Sequence, residues 1–599
     1  MQAQLRYWDY YSMTDTFDRL YEESKYGQSF ERLYDIITSR ENILLAYRTI
    51  KTNKGSHTAG ADGRTINDFK GFTEEELVSF IQKRLSNYQP MKVRRVFIPK
   101  PNGDKRPLGI PSMSDRIIQQ VFKQVLEPIC EARFYNHSYG FRPLRSTHHA
   151  VARVNHLINH NKLHYVVDID IKGFFDNVNH TLLIKQLWNI GIKDRKVLCI
   201  ISKMLKAEID KEGVPSKGTP QGGILSPLLS NVVLNDLDQW IASQWEAFPS
   251  RTSYCSKSAM FRFLRKGKLK EGFIVRYADD FKILCKDWKS AQKWYHAVKL
   301  YLKDRLKLDI SPEKSKVINL RKRESEFLGF SIKAELKGKK RVANSKISKK
   351  KKEKYVAEGR ERIKQLRNAP TAKNAQLFNS WVLGIHSYSR IATHVSIDFH
   401  EIAHRLAYTL RKRLRDRGKF GKPKNPSPTY ERYYKKTYNT FEISGVHLYP
   451  IGDIKNFWAA NYNPKLIPYT TDGRKLIYQK LKDELMPEIR KLMESNIPNK
   501  SVEYFDNRIS RYSMKSGKCE ITGGFVPAEL VHCHHYVPVS LGGTDTFRNL
   551  RILNKFVHRL IHATDSQTIE KYRKSINPDK RQLRRINTYR KKCNLEPIS

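Results

Sequence analysis

The chain has 599 residues, 39% of them hydrophobic and 11% aromatic, which builds several cores and excludes a disordered polymer. Its 111 Lys and Arg against 60 Asp and Glu leave a net charge of +51, far beyond what solubility needs, so nucleic acid is the leading partner. No apolar run reaches the ~18 residues of a membrane span, and seven scattered cysteines fit a reducing cytosol with no disulfide framework.

Residues 1–335 read as α/β, helical patterns broken by short strands. "RRVFIP" (94–99) predicts a strand, and "PNGD" after it a turn flanked by Lys100 and Arg106. That hairpin can swing two cations over a phosphate, although composition alone favours a solvated basic turn. In "YVVDIDIKGFFDNV" (165–178), strand periodicity puts Asp168 and Asp170 on one face and Val167, Ile169 and Ile171 on the other. An acid inside so apolar a strand is costly unless paired or coordinated. "GTPQGG" (218–223) offers the Gln221 amide and two glycines, Gly222 and Gly223, that permit close backbone approach, to a base pair if the resemblance named below holds. Ser226 and Pro227 then predict a helix start, with Leu228, Leu229, Val232, Val233 and Leu237 as its buried stripe.

"FIVRYADDFKILC" (273–285) predicts two strands around a tight turn, with Asp279 and Asp280 adjacent where Asp is normally depleted. Taken alone, an Asp-Asp pair is ordinary turn chemistry. "KGKKRVANSKISKKKKEK" (337–354) is the densest basic run, residues 355–417 predict amphipathic helices, and "GKPKNPSP" ends them. About 430–510 is Tyr-rich and without clear periodicity, and 511–599 concentrates Cys and His before a basic, helix-like tail.

Taken in order, "NKGSHTAGADG" (53–63), "RRVFIPKPNGDKRPLGIPSMSDRIIQQ" (94–120), "SYGFRPLRSTHHA" (138–150), "DIKGFFD", "GTPQGGILSPLLSNVVLNDLD", "YADD", "KLDISPEKS" (307–315) and "EFLGF" (326–330) resemble the reverse transcriptases of bacterial group II introns. The resemblance implies a multidomain α/β (α+β) protein with right-hand polymerase fingers and palm and a helical thumb, domain X. It implies an N-terminal extension and the start of the fingers over 1–90, fingers and palm over 91–335, thumb over 336–430 and a DNA-binding region over 431–510. It also implies a palm triad of Asp170, Asp279 and Asp280. Asp170 and Asp279 would hold two Mg²⁺ with the Ile171 carbonyl, and Asp280 would take part less directly. Lys100, Arg106, Phe175 and Gln221 would meet the incoming dNTP, Phe175 under its sugar, while Phe174 fills the core. Asp168 and Asp176 stay structural. In the thumb, Trp381, Tyr388, Arg390, Tyr408, Arg411, Arg413 and Arg415 suit an RNA-facing surface, with helix packing as the equal alternative for Trp381 and Tyr388.

"HCHHYVPVSLGGTDTFRNLRILNKFVHRLIHA" (532–563) resembles the HNH endonuclease motif, a ββα element holding one metal, and extends that domain over 511–599. His558 and His562 share a helix face, and His534 can close a three-ligand site for one divalent ion, Mg²⁺ or Zn²⁺. His535 would be the general base, and Asn549 would orient it or fix the loop. A second, structural zinc is disfavoured, because Cys519 and Cys533 each lack a CxxC partner.

Together these imply an RNA-directed DNA polymerase that assists splicing of its own group II intron and nicks target DNA to prime synthesis. Intron RNA, target DNA and dNTPs would be its partners, in a ribonucleoprotein of the bacterial cytosol, with no membrane and the oligomeric state open. The alternatives are an RNA-binding splicing cofactor with vestigial sites, or a retron- or defence-type reverse transcriptase.

Overall fold

The computed structural model describes residues 2–99, 105–267, 271–434, 438–478, 488, 491–492, 495, 497 and 500–598. The chain divides into two units, one of Met1–Arg133, His180–Leu229 and Lys465–Ser599, the other of Phe134–Asn179 and Ser230–Pro464. The first unit is organised on the helix Met113–Arg133, whose Ile117, Val121, Val125 and Ile129 are fully buried against the helices Thr14–Lys25 and Arg40–Lys51. Asn42, also fully buried, donates its amide to the carbonyls of Ile37 (2.9 Å) and Val121 (3.1 Å), which satisfies a polar group no water reaches. Strands β1 (Arg94–Pro99) and β2 (Lys105–Ile110) form an antiparallel hairpin in the same unit, and Lys100, at its tip, lies outside the described residues.

The second unit carries a four-stranded antiparallel sheet of β3 (Tyr165–Ile169), β4 (Gly272–Tyr277), β5 (Asp280–Cys285) and β6 (Lys316–Asn319), in the order β4-β5-β3-β6. Val166, Leu284, Phe273 and Ile318 fall in one row of the register and join the core with Ala150, Val154 and Leu157 of the helix Thr147–Asn159. By the two-residue repeat, Val167, Ile274 and Ile283 face the other way, and the helix Trp288–Leu306 packs on these strands. Both faces are covered, which is why apolar residues fall on both faces of these strands.

A second sheet, β7 (Ser325–Phe327), β8 (Phe330–Lys337) and β9 (Lys340–Ile347), leads into the helices Lys349–Asn368, Ala372–Ser389 and Val395–Leu414. The expected boundary at 335/336 falls inside β8. One hydrophobic core runs from Val166 and Phe273 through Phe330 to Phe399 and Leu406, so the helical segment is built on the sheet rather than beside it. A small sheet of β10 (Lys419–Gly421), β11 (Thr440–Ile443) and β12 (Val446–His447) follows. In the first unit's C-terminal part, β13 (Val531–His535) and β14 (Leu550–Asn554) pair antiparallel ahead of the helix Lys555–His562.

Candidate active sites

Ladder pairing brings the acids of the second unit together. Tyr277 pairs with Asp280, which leaves Ala278 and Asp279 as a two-residue turn, with Ala278 at a φ of +57°. Gly140 lies against this turn so closely that a Cβ there would overlap the Ala278 nitrogen. In β3, Asp168 pairs with Lys282 and Ile169 with Phe281, so the continued register sets Asp170 across from Asp280. Segment 307–315 straps this strand end. Ser311 N–H donates to the Asp170 carbonyl (2.8 Å), Asp170 N–H donates to Ser315 Oγ (3.1 Å), and Ile171 bridges to Ile310.

The outcome is a cleft of about 420 Å³ lined by Asp168, Asp170, Asp279, Asp280, Lys314 and the end of β7 with its turn, Glu326–Gly329. Burial pushes the Asp280 carboxyl up to about 6, opposed by the Lys282 charge and reinforced by Asp168 and Asp279. Lys282 is itself 1% exposed and pairs with Asp168 at 2.8 Å, and Lys314 reaches Asp170 at 3.4 Å. Neither lysine stood out in the sequence, where both look like ordinary surface cations. Gly173, at a φ of +53°, starts the helix Phe174–Asn177, which buries Phe174 and leaves Phe175 half-buried.

Arg106, exposed on β2, and Gln221 belong to the first unit. Gln221 accepts from Gly109 N–H through its backbone carbonyl (2.7 Å). The two glycines after it lie close against the protein itself. A Cβ on Gly222 would overlap the Gly109 carbonyl, and one on Gly223 would crowd Ser226 Oγ. Of the aromatics on the helix Ala372–Ser389, Tyr388 stacks on Phe330 (5.6 Å) and donates to the Leu328 carbonyl (2.8 Å), and Trp381 donates to Glu358 (3.0 Å). Both are packing residues. Tyr408, Arg411 and Arg415 of that helical segment are exposed.

In the first unit, β13, β14 and the helix Lys555–His562 assemble the histidines. One nitrogen from each of His534, His558 and His562 lies within 4.8 Å of the others. His534 Nε2 is buried with no hydrogen-bond partner among the described residues, the state of a donor left for a metal. Burial, then the neighbouring His562 and His532, pulls His534 down to about 3. Burial with His532 and His562 pulls His558 down to about 2, so both rings are neutral and ready to ligate near pH 7. His532, unassigned in the sequence, stacks on His558 with ring centroids 3.5 Å apart. Arg590, almost fully buried, donates to the carbonyls of Leu560, Ile561 and Ala563 and fixes the C-terminal end of the ligand helix.

His535 points elsewhere. Its Nε2 contacts Asp545 Oδ1 at 2.7 Å, and its ring stacks on Tyr504. Burial opposes ionisation of Asp545, but the hydrogen bonds from His535 and Ser501 win and hold it below the usual carboxylate range. Asn549 fixes the loop: its side chain accepts from Val537 N–H (2.8 Å) and donates to the carbonyls of Val537 (3.0 Å) and Thr544 (2.9 Å). Burial pushes the Cys533 thiol up to about 12, so it stays protonated, and Cys519 Sγ accepts from Asn554 N–H.

Residues 98–332 match the family described as reverse transcriptase (RNA-dependent DNA polymerase). Protein YkfC of Escherichia coli K12 is 34% identical over 302 residues, 48% of this chain and 79% of that protein. The group II intron-encoded protein LtrA of Lactococcus lactis subsp. cremoris is 34% identical over 352 residues, 52% of this chain and 58% of LtrA. Nuclear intron maturase 2, mitochondrial, of Arabidopsis thaliana is 30% identical over 185 residues, 23% of this chain and 24% of that protein.

Proposed function

The chain belongs to the reverse transcriptase (RNA-dependent DNA polymerase) family and is homologous to group II intron-encoded proteins, and from that membership we propose that it copies intron RNA into DNA, assists the intron's splicing and nicks target DNA to supply the primer. The observation that carries the polymerase reading is one cleft lined by Asp170, Asp279 and Asp280, acids drawn from chain-distant segments. A cluster of carboxylate oxygens suits the hard, oxygen-seeking Mg²⁺. When bound, two such ions lower the pKa of a primer 3′-hydroxyl and neutralise the triphosphate. Asp170 and Asp279 would hold them, with the Ile171 carbonyl as a further donor. Asp280, whose carboxyl pKa is raised by burial, would take part less directly and in its ionised form. Lys282 and Lys314 offset repulsion among the acids. For the dNTP we keep the roles the resemblance implies, Phe175 for its sugar and Arg106, Gln221 and Lys100 for the rest of the nucleotide.

In the histidine cluster, three neutral imidazoles suit Zn²⁺ or a similar borderline ion better than Mg²⁺, which prefers oxygen. Such an ion stabilises charge on the scissile phosphate when bound. Asp545 fixes the His535 ring through Nε2 and leaves Nδ1 to take a proton from water. Asn549 holds the loop between them. The +51 net charge, with Tyr408, Arg411 and Arg415 exposed, supports intron RNA as the partner, gripped by backbone and stacking contacts in a cytosolic ribonucleoprotein. No helix among the described residues is long and apolar enough to cross a membrane.

One pair of variants tests the assignment. Asp279→Ala abolishes primer extension on an RNA template and spares splicing assistance and nicking. His535→Ala abolishes nicking and spares the other two. Primer extension surviving Asp279→Ala overturns the palm assignment.

A further inference from the structure

Arg276, on β4 three residues before Asp279, is 1% exposed and one of the largest fully buried side chains. A guanidinium cannot shed its charge, so its burial is tolerable only where its N–H groups are matched. Nε donates to both oxygens of Asp238 at 2.9 Å, and Nη2 donates to Asp238 Oδ2 at 2.6 Å. Asp238, in the helix Ser226–Gln244, is itself fully buried. Nη1 divides between Asn231 Oδ1 (3.0 Å) and the Ala278 carbonyl (2.8 Å). Asn231 in turn donates to the Gly140 carbonyl (2.9 Å), so the same network holds the glycine that backs the turn.

Ala278 is the turn residue in the left-handed region, where a side chain other than glycine is strained. Its carbonyl begins the peptide that carries Asp279. We propose that Arg276, carried on Asp238 and Asn231, is the positioning residue that holds this strained turn, and so sets where the Asp279 carboxylate meets Asp170. A buried ion pair is weak grounds for stability as such, because apolar side chains of equal volume often do as well or better. What an apolar side chain cannot do is donate to the Ala278 carbonyl. The inference rests on the polymerase reading of the cleft.

The test uses full-length protein with Arg276→Lys and Asn231→Ala. Lysine keeps the charge but cannot grip Asp238 with a fork and reach Ala278 at once. The readouts are Mn²⁺ binding followed by electron paramagnetic resonance, and the kcat and KM of primer extension, with wild type and Asp279→Ala alongside. The histidine site adds equally to all four proteins. Arg276→Lys is expected to weaken Mn²⁺ binding in the cleft and to lower kcat by roughly 10–100-fold, with KM for the primer–template little changed. Asn231→Ala shifts both in the same direction by less, and nicking stays at the wild-type rate. If Arg276→Lys does not fold, Asn231→Ala decides by the same readouts. Wild-type Mn²⁺ affinity and kcat in the folded variants overturn the positioning role and leave the polymerase reading standing. Equal Mn²⁺ binding by wild type and Asp279→Ala overturns both.

Discussion

Asp280 makes the cleft responsive to protons in a direction its surroundings fix. Its carboxyl titrates at about 6, above the ordinary 3.8, because burial disfavours the charge. A folded-state pKa raised in this way means that the metal-free fold loses stability from this group as pH rises from about 4 through 6. A cation in the cleft opposes that loss, so metal and proton compete for one carboxylate. The Mg²⁺ concentration needed for half-maximal primer extension is therefore expected to climb as pH falls below about 6. Mg²⁺ titrations of primer extension at a series of pH values read it directly, and a flat requirement would remove Asp280 from the metal site. Asp170 drew notice in sequence because an acid inside an apolar strand demands a reason, whereas Asp279 and Asp280 alone read as turn chemistry and were grouped with it only by the family resemblance. The cations beside them were not legible, since nothing in a sequence separates a lysine buried at 1% exposure from a solvated one. Asp545 was missed for a similar reason: its contact with His535 crosses a loop whose path the sequence does not fix.

At the scale of elements, the hairpin β4–β5 owes its turn to residues outside it. "SYGFRP" is explained by Tyr139 N–H donating to the Arg276 carbonyl (2.8 Å) and by Gly140 lying where no Cβ fits. "KLDISPEKS" is explained by its strap over the end of β3. Gly140→Ala is expected to push the turn out of place, destabilising the second unit by about 1–3 kcal/mol and cutting primer extension far more than nicking. Thermal unfolding and the two assays check it, and an unperturbed extension rate would contradict the contact. Periodicity located these strands and the helices that follow, since apolar runs and i, i+4 stripes survive in any context. The expected boundary at 335/336 lies within β8, where a strand that continues one core into the next segment leaves no break in composition. Trp381 and Tyr388 had two open readings in sequence, because an amphipathic helix presents aromatics to a core or to RNA with the same spacing.

For the whole molecule, the charge surplus is the property most easily put to use. With +51 to neutralise, binding to structured intron RNA is expected to lose affinity on the order of 10³-fold between about 50 and 200 mM salt. Equilibrium binding across a salt series measures the slope, and a shallow one would argue against extensive phosphate contact. The candidate sites lie in separate units, the carboxylates in the second and the histidines in the first, which fits separable losses of polymerisation and nicking. That separation was foreshadowed by the distance in sequence between "YADD" and "HCHH". The division into units was not, because the first unit is assembled from three stretches of chain.

The most direct test of the central claim is anomalous scattering from Mn²⁺ in crystals of the protein with an RNA template, a DNA primer and a dNTP. The account predicts two peaks in the cleft, both within ligand distance of Asp170 and Asp279. Peaks that Asp170 does not reach, or no peak between the two strands, would contradict it.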